Sequence, residues 1–396
     1  MKFNKWTVAL AATGVVSLAS AVQADESHPV NTALSSTTLS GYVDTSAIWN
    51  FGSGTDVAKR YVNTGADRQD GFNLNYVKVQ LEKPIDEGTW SAGYKVESLF
   101  GPDAVALPGR VANNVALKQA YVALRAPVGN GIDFKVGQFD PVVGYETVDS
   151  YANPNYSRSY AVQNLQPLGH TGVLASYQVN DIIGVSAGVA NGDNGLGRLT
   201  GNSLTASHNG AFAESSKVYM GSLVIKAPES AGWLAGSALY VGAVNGDAAG
   251  AKNDPTLLYV GASLATPIKE LSIGASADML FNADQTPAGA VGFVGGKSYA
   301  NAYAFYTGYQ ITEKLKANNR FEYATSGYGA FLPNRGAEGD KTIGETFTLD
   351  YALWANVLTR GEFRWDRAVD GVAKGAGPFN GQRNDLSLTA SVVYKF

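Results

Sequence analysis

Apolar and polar residues alternate along most of this chain. Val77-Lys78-Val79-Gln80-Leu81-Glu82 shows the period of two most cleanly, and Ala120 to Arg125, Leu271 to Asp278 and Thr359 to Asp366 repeat it. The run LSLTASVVYKF puts Leu386, Leu388, Ala390, Val392, Tyr394 and Phe396 on one parity. Asp385, Ser387, Thr389, Ser391 and Lys395 take the other, interrupted only by Val393. Successive strand side chains point to opposite faces, so each run predicts a strand with one apolar and one polar side. Continued along the chain, the pattern predicts roughly sixteen strands, an even number as in outer-membrane barrels. Their centres fall near Val43, Val79, Tyr94, Val122, Val136, Ala175, Val185, Leu223, Leu239, Val260, Ala275, Phe305, Phe321, Leu349, Phe363 and Ala390. Around Leu174, Leu239 and Tyr306 both faces read as rather apolar.

The connections sort by length. Tight links at 83–88, 127–131, 180–181, 228–232, 267–270 and 312–314 alternate with long stretches rich in Gly, Asn and Asp. The long ones lie at 52–70, 101–114, 140–170, 191–216, 245–254, 282–297, 326–341 and 367–383. A soluble sandwich has no reason to sort loops by parity, whereas a membrane barrel has short periplasmic turns and long external loops. Pairing the last strand with the first removes the open edge and turns the apolar parity of the final strand to lipid. Trp49, Trp90, Trp233, Trp354 and Trp365 fall within a few residues of predicted strand ends, where indole rings favour the headgroup level. The expected fold is an all-β, antiparallel, up-and-down transmembrane barrel over residues 38–396.

The first residues refine this picture. Lys2 and Lys5, an apolar stretch from Trp6 to Ala21 and the small-residue site Val22-Gln23-Ala24 read as a signal peptide over 1–24. Residues 25–37 read as a short, flexible periplasmic lead-in. Without Lys2 and Lys5, 28 of the 30 basic residues remain against 34 acidic ones, a net charge of −6 that does not suggest a nucleic-acid partner. With no cysteine, an exported chain must be held by its hydrogen-bonded fold alone. Abundant glycine (46) and tyrosine (21), with charged residues at 16%, argue against disorder.

Candidate chemistry sits on the polar parity. Lys78, Lys95, Arg125, Lys135, Arg320, Arg360 and Arg364 share it with Asp44, Glu82, Glu97, Asp278, Glu322 and Glu362. Lysine or arginine facing lipid at the midplane would cost about 2–4 kcal/mol each, so these residues are expected to face a wet lumen. Most are expected to pair across strands, leaving only those near a constriction to affect transport. The stretch 140–170, the longest connection, carries Asp140, Glu146, Asp149 and Arg158 together with Tyr145, Tyr151, Tyr156 and Tyr160. By analogy with the third loop of general porins it is expected to fold inward, with Glu146 and Asp149 opposing Lys95, Arg125 and Lys135. The alternative is a loop packed on the wall or capping the mouth.

Catalysis finds little support. Neither G-x-S-x-G nor H-E-x-x-H occurs, and Gly195-Leu196-Gly197-Arg198-Leu199-Thr200-Gly201 misses the dinucleotide spacing. His28, His170 and His208 lack metal-ligand spacing, so no metal or other cofactor is expected.

Several stretches also match a known family as text. Residues 41–51 (GYVDTSAIWNF), Leu81-Glu82-Lys83-Pro84, 118–140 (KQAYVALRAPVGNGIDFKVGQFD) and 153–160 (NPNYSRSY) carry the likeness. They resemble the outer-membrane β-barrel porins described as OmpL-like, most densely from Gly41 to Tyr177. The resemblance implies passive solute passage and supplies no catalytic motif. Tyr394 and the aromatic Phe396 similarly resemble the signal read by the assembly machinery of bacterial outer-membrane proteins. The expected function is a water-filled channel for small hydrophilic solutes or ions in a Gram-negative outer membrane. Its expected partners are lipid, the assembly machinery and the solutes, with a homotrimer left open. A barrel serving surface binding or adhesion, and a barrel hydrolase using His170, are the alternatives.

Overall fold

The alternating runs become sixteen antiparallel strands. In chain order β1 is Thr38–Asn50, β2 Gly71–Lys83, β3 Ser91–Phe100, β4 Val115–Ala126, β5 Ile132–Phe139 and β6 His170–Gln178. Then follow β7 Ile183–Asn191, β8 Lys217–Lys226, β9 Ala238–Gly246, β10 Thr256–Ala265 and β11 Leu271–Phe281. The last five are β12 Tyr299–Gln310, β13 Leu315–Ser326, β14 Asp340–Trp354, β15 Val357–Ala368 and β16 Asn384–Lys395. Every predicted centre lies within its strand. This computed structural model describes residues 30–31, 36–51, 71–87, 89–106, 110–112, 114–191, 217–246, 255–282, 299–327, 330–331, 339–370 and 383–396. The leader, His28, His208 and most of the other long loops lie outside these residues.

Each strand pairs with its sequence neighbours, and β16 returns to β1 with Ala390 opposite Ala47. The sheet is therefore closed and has no edge. The seam is finished by Gly41 and Phe396, which exchange two backbone hydrogen bonds of 2.9 Å. The Phe396 ring lies 2.7 Å from where a Cβ on Gly41 would sit, so glycine leaves the ring its place. Val30–Asn31 forms a short ladder with Leu39 and Thr38, so part of the lead-in is paired to the barrel.

The two parities divide as expected. Leu388, Val392 and Tyr394 are exposed on the outer face, while Ser387, Thr389 and Ser391 are buried toward the lumen. Trp49 and Trp354 sit at the ends of β1 and β14, with Trp90 and Trp233 in adjoining turns, all well exposed. Trp365, three residues from the end of β15, donates to Asn384 (3.2 Å).

Two bulges break the alternation on one side of the barrel. In β2, Asn75 is extra between Asp44/Tyr76 and Thr45/Leu74. In β4, Lys118 is extra between Glu97/Gln119 and Ser98/Leu117. An extra residue re-aims its neighbours. Asn75 and Tyr76 are consequently both buried, as are Lys118 and Gln119.

Candidate functional site

Residues 140–169 leave β5 and run inside the barrel, buried over most of their length. The segment holds its own shape. The Asn153 side chain bonds the Thr147 N–H and C=O at 2.8 Å each, and the buried Arg158 guanidinium donates to the carbonyls of Val148 and Tyr156. A single helical turn, α1 (Tyr160–Asn164), is capped by Ser159, whose hydroxyl accepts from Val162 N–H. One side of the loop is apolar. Val142, Val143, Tyr145, Tyr160, Ala161 and Leu165 pack on Leu174, Val218, Met220, Val244, Leu257, Leu280 and Tyr306 of the wall. Burial of each large aliphatic side chain here contributes about 1.5–3 kcal/mol. This contact explains why the wall around Leu174 and Tyr306 is apolar on both faces. Val393, the exception on the polar parity of β16, belongs to a second cluster with Val148 and Leu168.

The polar side of the loop is fastened to an arginine-rich wall. Arg320 donates to Glu146 (2.8 Å), to the Ser157 carbonyl (2.7 Å) and to Glu322 (2.7 Å). Arg360 reaches the carbonyls of Ser150 (2.6 Å) and Asn153 (2.7 Å) while paired with Asp350 (2.9 Å). Arg364 donates to the Arg158 carbonyl (2.7 Å) and to Asp366 (2.7 Å). Wall carboxylates accept loop N–H groups in return. Glu362 takes those of Tyr156 (2.6 Å) and Ser157 (2.9 Å), and Glu322 takes that of Tyr160 (2.6 Å). The Tyr160 hydroxyl donates to Asp366 (2.5 Å). Burial, reinforced by Asp366, holds this phenol well above its ordinary pKa, so it remains a donor. Wall and loop thus answer most of each other's buried polar groups, as a dry seam requires.

A second network anchors the loop to β1–β4. Lys78 bridges Glu97 and Asp149, each at 3.0 Å, and Lys118 bridges Glu97 and Asp140, each at 2.9 Å. Tyr42 donates to Asp149 (2.6 Å), and Ser150 to Asp44 (2.5 Å). Burial alone would push the Asp149 carboxyl up, but Lys78 and Lys118 outweigh it and hold it below the usual carboxylate range. The contact is therefore kept at neutral pH and is lost only as pH falls through that lowered value.

The loop folds inward, as the sequence suggests, but its partners differ from those expected. Glu146 crosses the lumen to Arg320 of β13, while Asp149 meets Lys78 of β2 and Asp140 meets Lys118 of β4. Arg125 lies at the turn end of β4, bound to Asp133 (2.7 Å) and the Asn130 carbonyl (2.8 Å). Lys135 stands 5.2 Å from the Tyr121 ring centroid, and Lys95 is 3.5 Å from Glu97. Lys118, Asn75, Tyr42 and Gln166, which donates to Asp278 (2.8 Å), complete the site although the sequence pattern does not mark them, and Tyr306, marked only for its apolar surroundings, joins them. Adjacent polar residues in mid-strand, Lys118-Gln119, were the available sign of a bulge.

A family model described as "Putative beta-barrel porin-2, OmpL-like" matches residues 36–396. Among solved structures, the chain is similar to the outer-membrane channel DcaP of Acinetobacter baumannii, with a TM-score of 0.60 and 12% identity over 91% of this chain and 97% of that one. It is similar to the anion-selective porin from Comamonas acidovorans, with a TM-score of 0.59 and 12% identity over 91% and 99%. Pseudomonas putida OprB gives 0.60 and 10% over 91% and 94%. No curated protein matches the sequence. The inward loop, the closed barrel and the family match over nearly the whole chain lead to one conclusion: the chain belongs to the OmpL-like β-barrel porins and is a channel of the outer membrane.

Proposed function

We propose that small hydrophilic solutes and ions cross through the part of the lumen that the loop leaves wet, beside Lys95, Asp140, Asp149 and Lys135. The observation carrying this reading is a split in exposure. Asp140, Lys95 and Asp149 side chains keep 25%, 18% and 14% of their surface, whereas Arg320 and Glu146 keep 0%. Charges sealed in the seam only fasten the loop, while Asp140 and Asp149, which anchor it through Lys118 and Lys78, keep water contact and with Lys95 set selectivity. Asp140→Asn is expected to shift the reversal potential across a salt gradient toward anions, and Lys95→Gln toward cations. Beyond about 8–10 Å salt screens a charge in a wet pore, so groups away from the path give no shift. If neither variant changes selectivity while gel mobility on heating stays normal, the path lies elsewhere. His170 is buried beside Phe139, with ring centroids 6.4 Å apart, which favours a packing role over a hydrolytic one.

A trimer is the assembly we favour. The neighbour from Vibrio cholerae, OmpT, is described in a trimer form. On the outward parity of β13 and β14 the Asn319 amide donates to Glu345, a polar pair that a second copy would shield from lipid. Conductance rising in three equal steps per insertion in the same bilayers supports it, and single steps oppose it. Phe396, with Tyr394, is proposed as the assembly signal. Deleting Phe396 is expected to lower outer-membrane yield while export continues, and wild-type levels in the membrane would reject this role.

A further inference from the structure

Between the loop and the short-turn end of β10–β13 lies a cavity of about 460 Å³. Tyr145 from the loop forms one wall, stacked on Tyr306 with ring centroids 4.2 Å apart and 19° between planes. Trp233, from the exposed turn joining β8 to β9, lines another side. Two residues of this lining carry buried polar atoms with no partner among the described residues, Ser263 Oγ and Asn318 Oδ1. Their residues are 9% and 1% exposed. Glycine makes the room, since a Cβ at Gly308 would come within 3.0 Å of Asn318 Oδ1. Among the described residues of the lining, Lys269 is the one that is charged.

We infer that this recess binds small uncharged aromatic solutes that carry a hydroxyl group. The inference rests on the porin reading, because the solute arrives through the same lumen. A flat ring packs on tyrosine and tryptophan carbon, burying apolar surface that water would otherwise cover. Its hydroxyl donates to Asn318 Oδ1 or exchanges a bond with Ser263 Oγ, relieving buried atoms that otherwise stay unmatched. A sugar would bring more hydroxyls than Ser263 Oγ, Asn318 Oδ1 and the already bonded Ser272 and Thr266 hydroxyls can satisfy, and each one left over is costly. A carboxylate would lose its water against carbon, with Lys269 in the lining and Lys316 close by already drawn to Asp350. A cavity of this size is within the usual range for one small ligand.

The test uses the folded full-length barrel and 4-hydroxybenzyl alcohol as probe, with glucose and 4-hydroxybenzoate as comparisons. Calorimetry in detergent and block of single-channel current give independent readouts. The probe is expected to bind at least about tenfold tighter than either comparison. Ser263→Leu, which fills the recess from the wall, is expected to abolish binding. Ser263→Ala is expected to weaken it about fivefold, the worth of one hydrogen bond. Trp233→Ala, on an exposed turn, removes one side without altering the lumen strands and is expected to weaken binding also. Equal affinity for wild type and Ser263→Leu, or glucose binding as tightly as the probe, overturns the inference. If Ser263→Leu fails to fold, an unchanged affinity in Trp233→Ala overturns it instead. Normal conductance with no binding rejects the recess and leaves the porin reading standing. Variant-sensitive binding without conductance rejects the porin reading and keeps the recess.

Discussion

Deleting residues 146–159 is expected to raise single-channel conductance several-fold while leaving the barrel folded. The segment contributes no rung to the strand ladder, which closes from β1 to β16 without it. It does carry the contacts that hold the loop across the lumen, from Glu146 at Arg320 to the Arg158 carbonyl at Arg364. The exposed wall would not be left with orphaned charges. Arg320 keeps Glu322, Arg360 keeps Asp350 and Arg364 keeps Asp366, now in water. Step size in planar bilayers measures the effect, with heat-dependent gel mobility as the check on folding. A folded deletion variant with wild-type steps removes this loop from the constriction.

Arg320→Ala has the opposite logic, since it keeps the loop and removes its central fastening. Glu146, fully buried and bonded to Arg320 (2.8 Å), would be left facing the Tyr306 hydroxyl (3.1 Å) and the Ser159 N–H (2.8 Å) without a countercharge. Breaking one side of a buried pair costs about 3–5 kcal/mol, and here the cost falls on loop docking instead of on the barrel ladder. Limited trypsin digestion reads this directly, because Arg158 is wholly buried while the loop is docked. Wild type is expected to resist cleavage after Arg158, and Arg320→Ala to be cut. Arg320→Lys is expected to be intermediate, since one ammonium cannot reproduce the guanidinium fork that meets Glu146, Glu322 and Ser157 together. A variant as resistant as wild type would show that the apolar side of the loop suffices.

Much of the barrel was legible because a lipid-facing strand must alternate, and alternation survives in a single sequence. All sixteen centres fell inside strands, and the turn-and-loop parity gave the closure. What stayed hidden depended on contacts between distant residues. Nothing near Glu146 indicates Arg320, 174 positions later, as its partner. The charges on the polar parity could be listed but not divided into sealed and wet, since both kinds read alike until the loop is placed. Lys118 escaped notice because a bulge shifts its parity, and the same bulge brings it to Asp140 and Glu97. Leu174 and Tyr306 looked like weak strand positions for the reverse reason, because they pack against a loop that a strand pattern cannot see.

The fastening of the loop also fixes an order of events during biogenesis. Tyr156 and Ser157 find Glu362 across 206 and 205 residues, and Asn155 finds Thr348 across 193. Contacts so remote in sequence form only after the chain between them is in place. While β13 to β15 are missing, the loop has its contacts to β1–β4 and to the apolar wall of β6–β12, but the arginine-rich wall that fastens its polar side is absent. The polar side of the constriction is thus fastened only late in assembly, and a chain stalled before β13 is expected to conduct more freely than the finished channel.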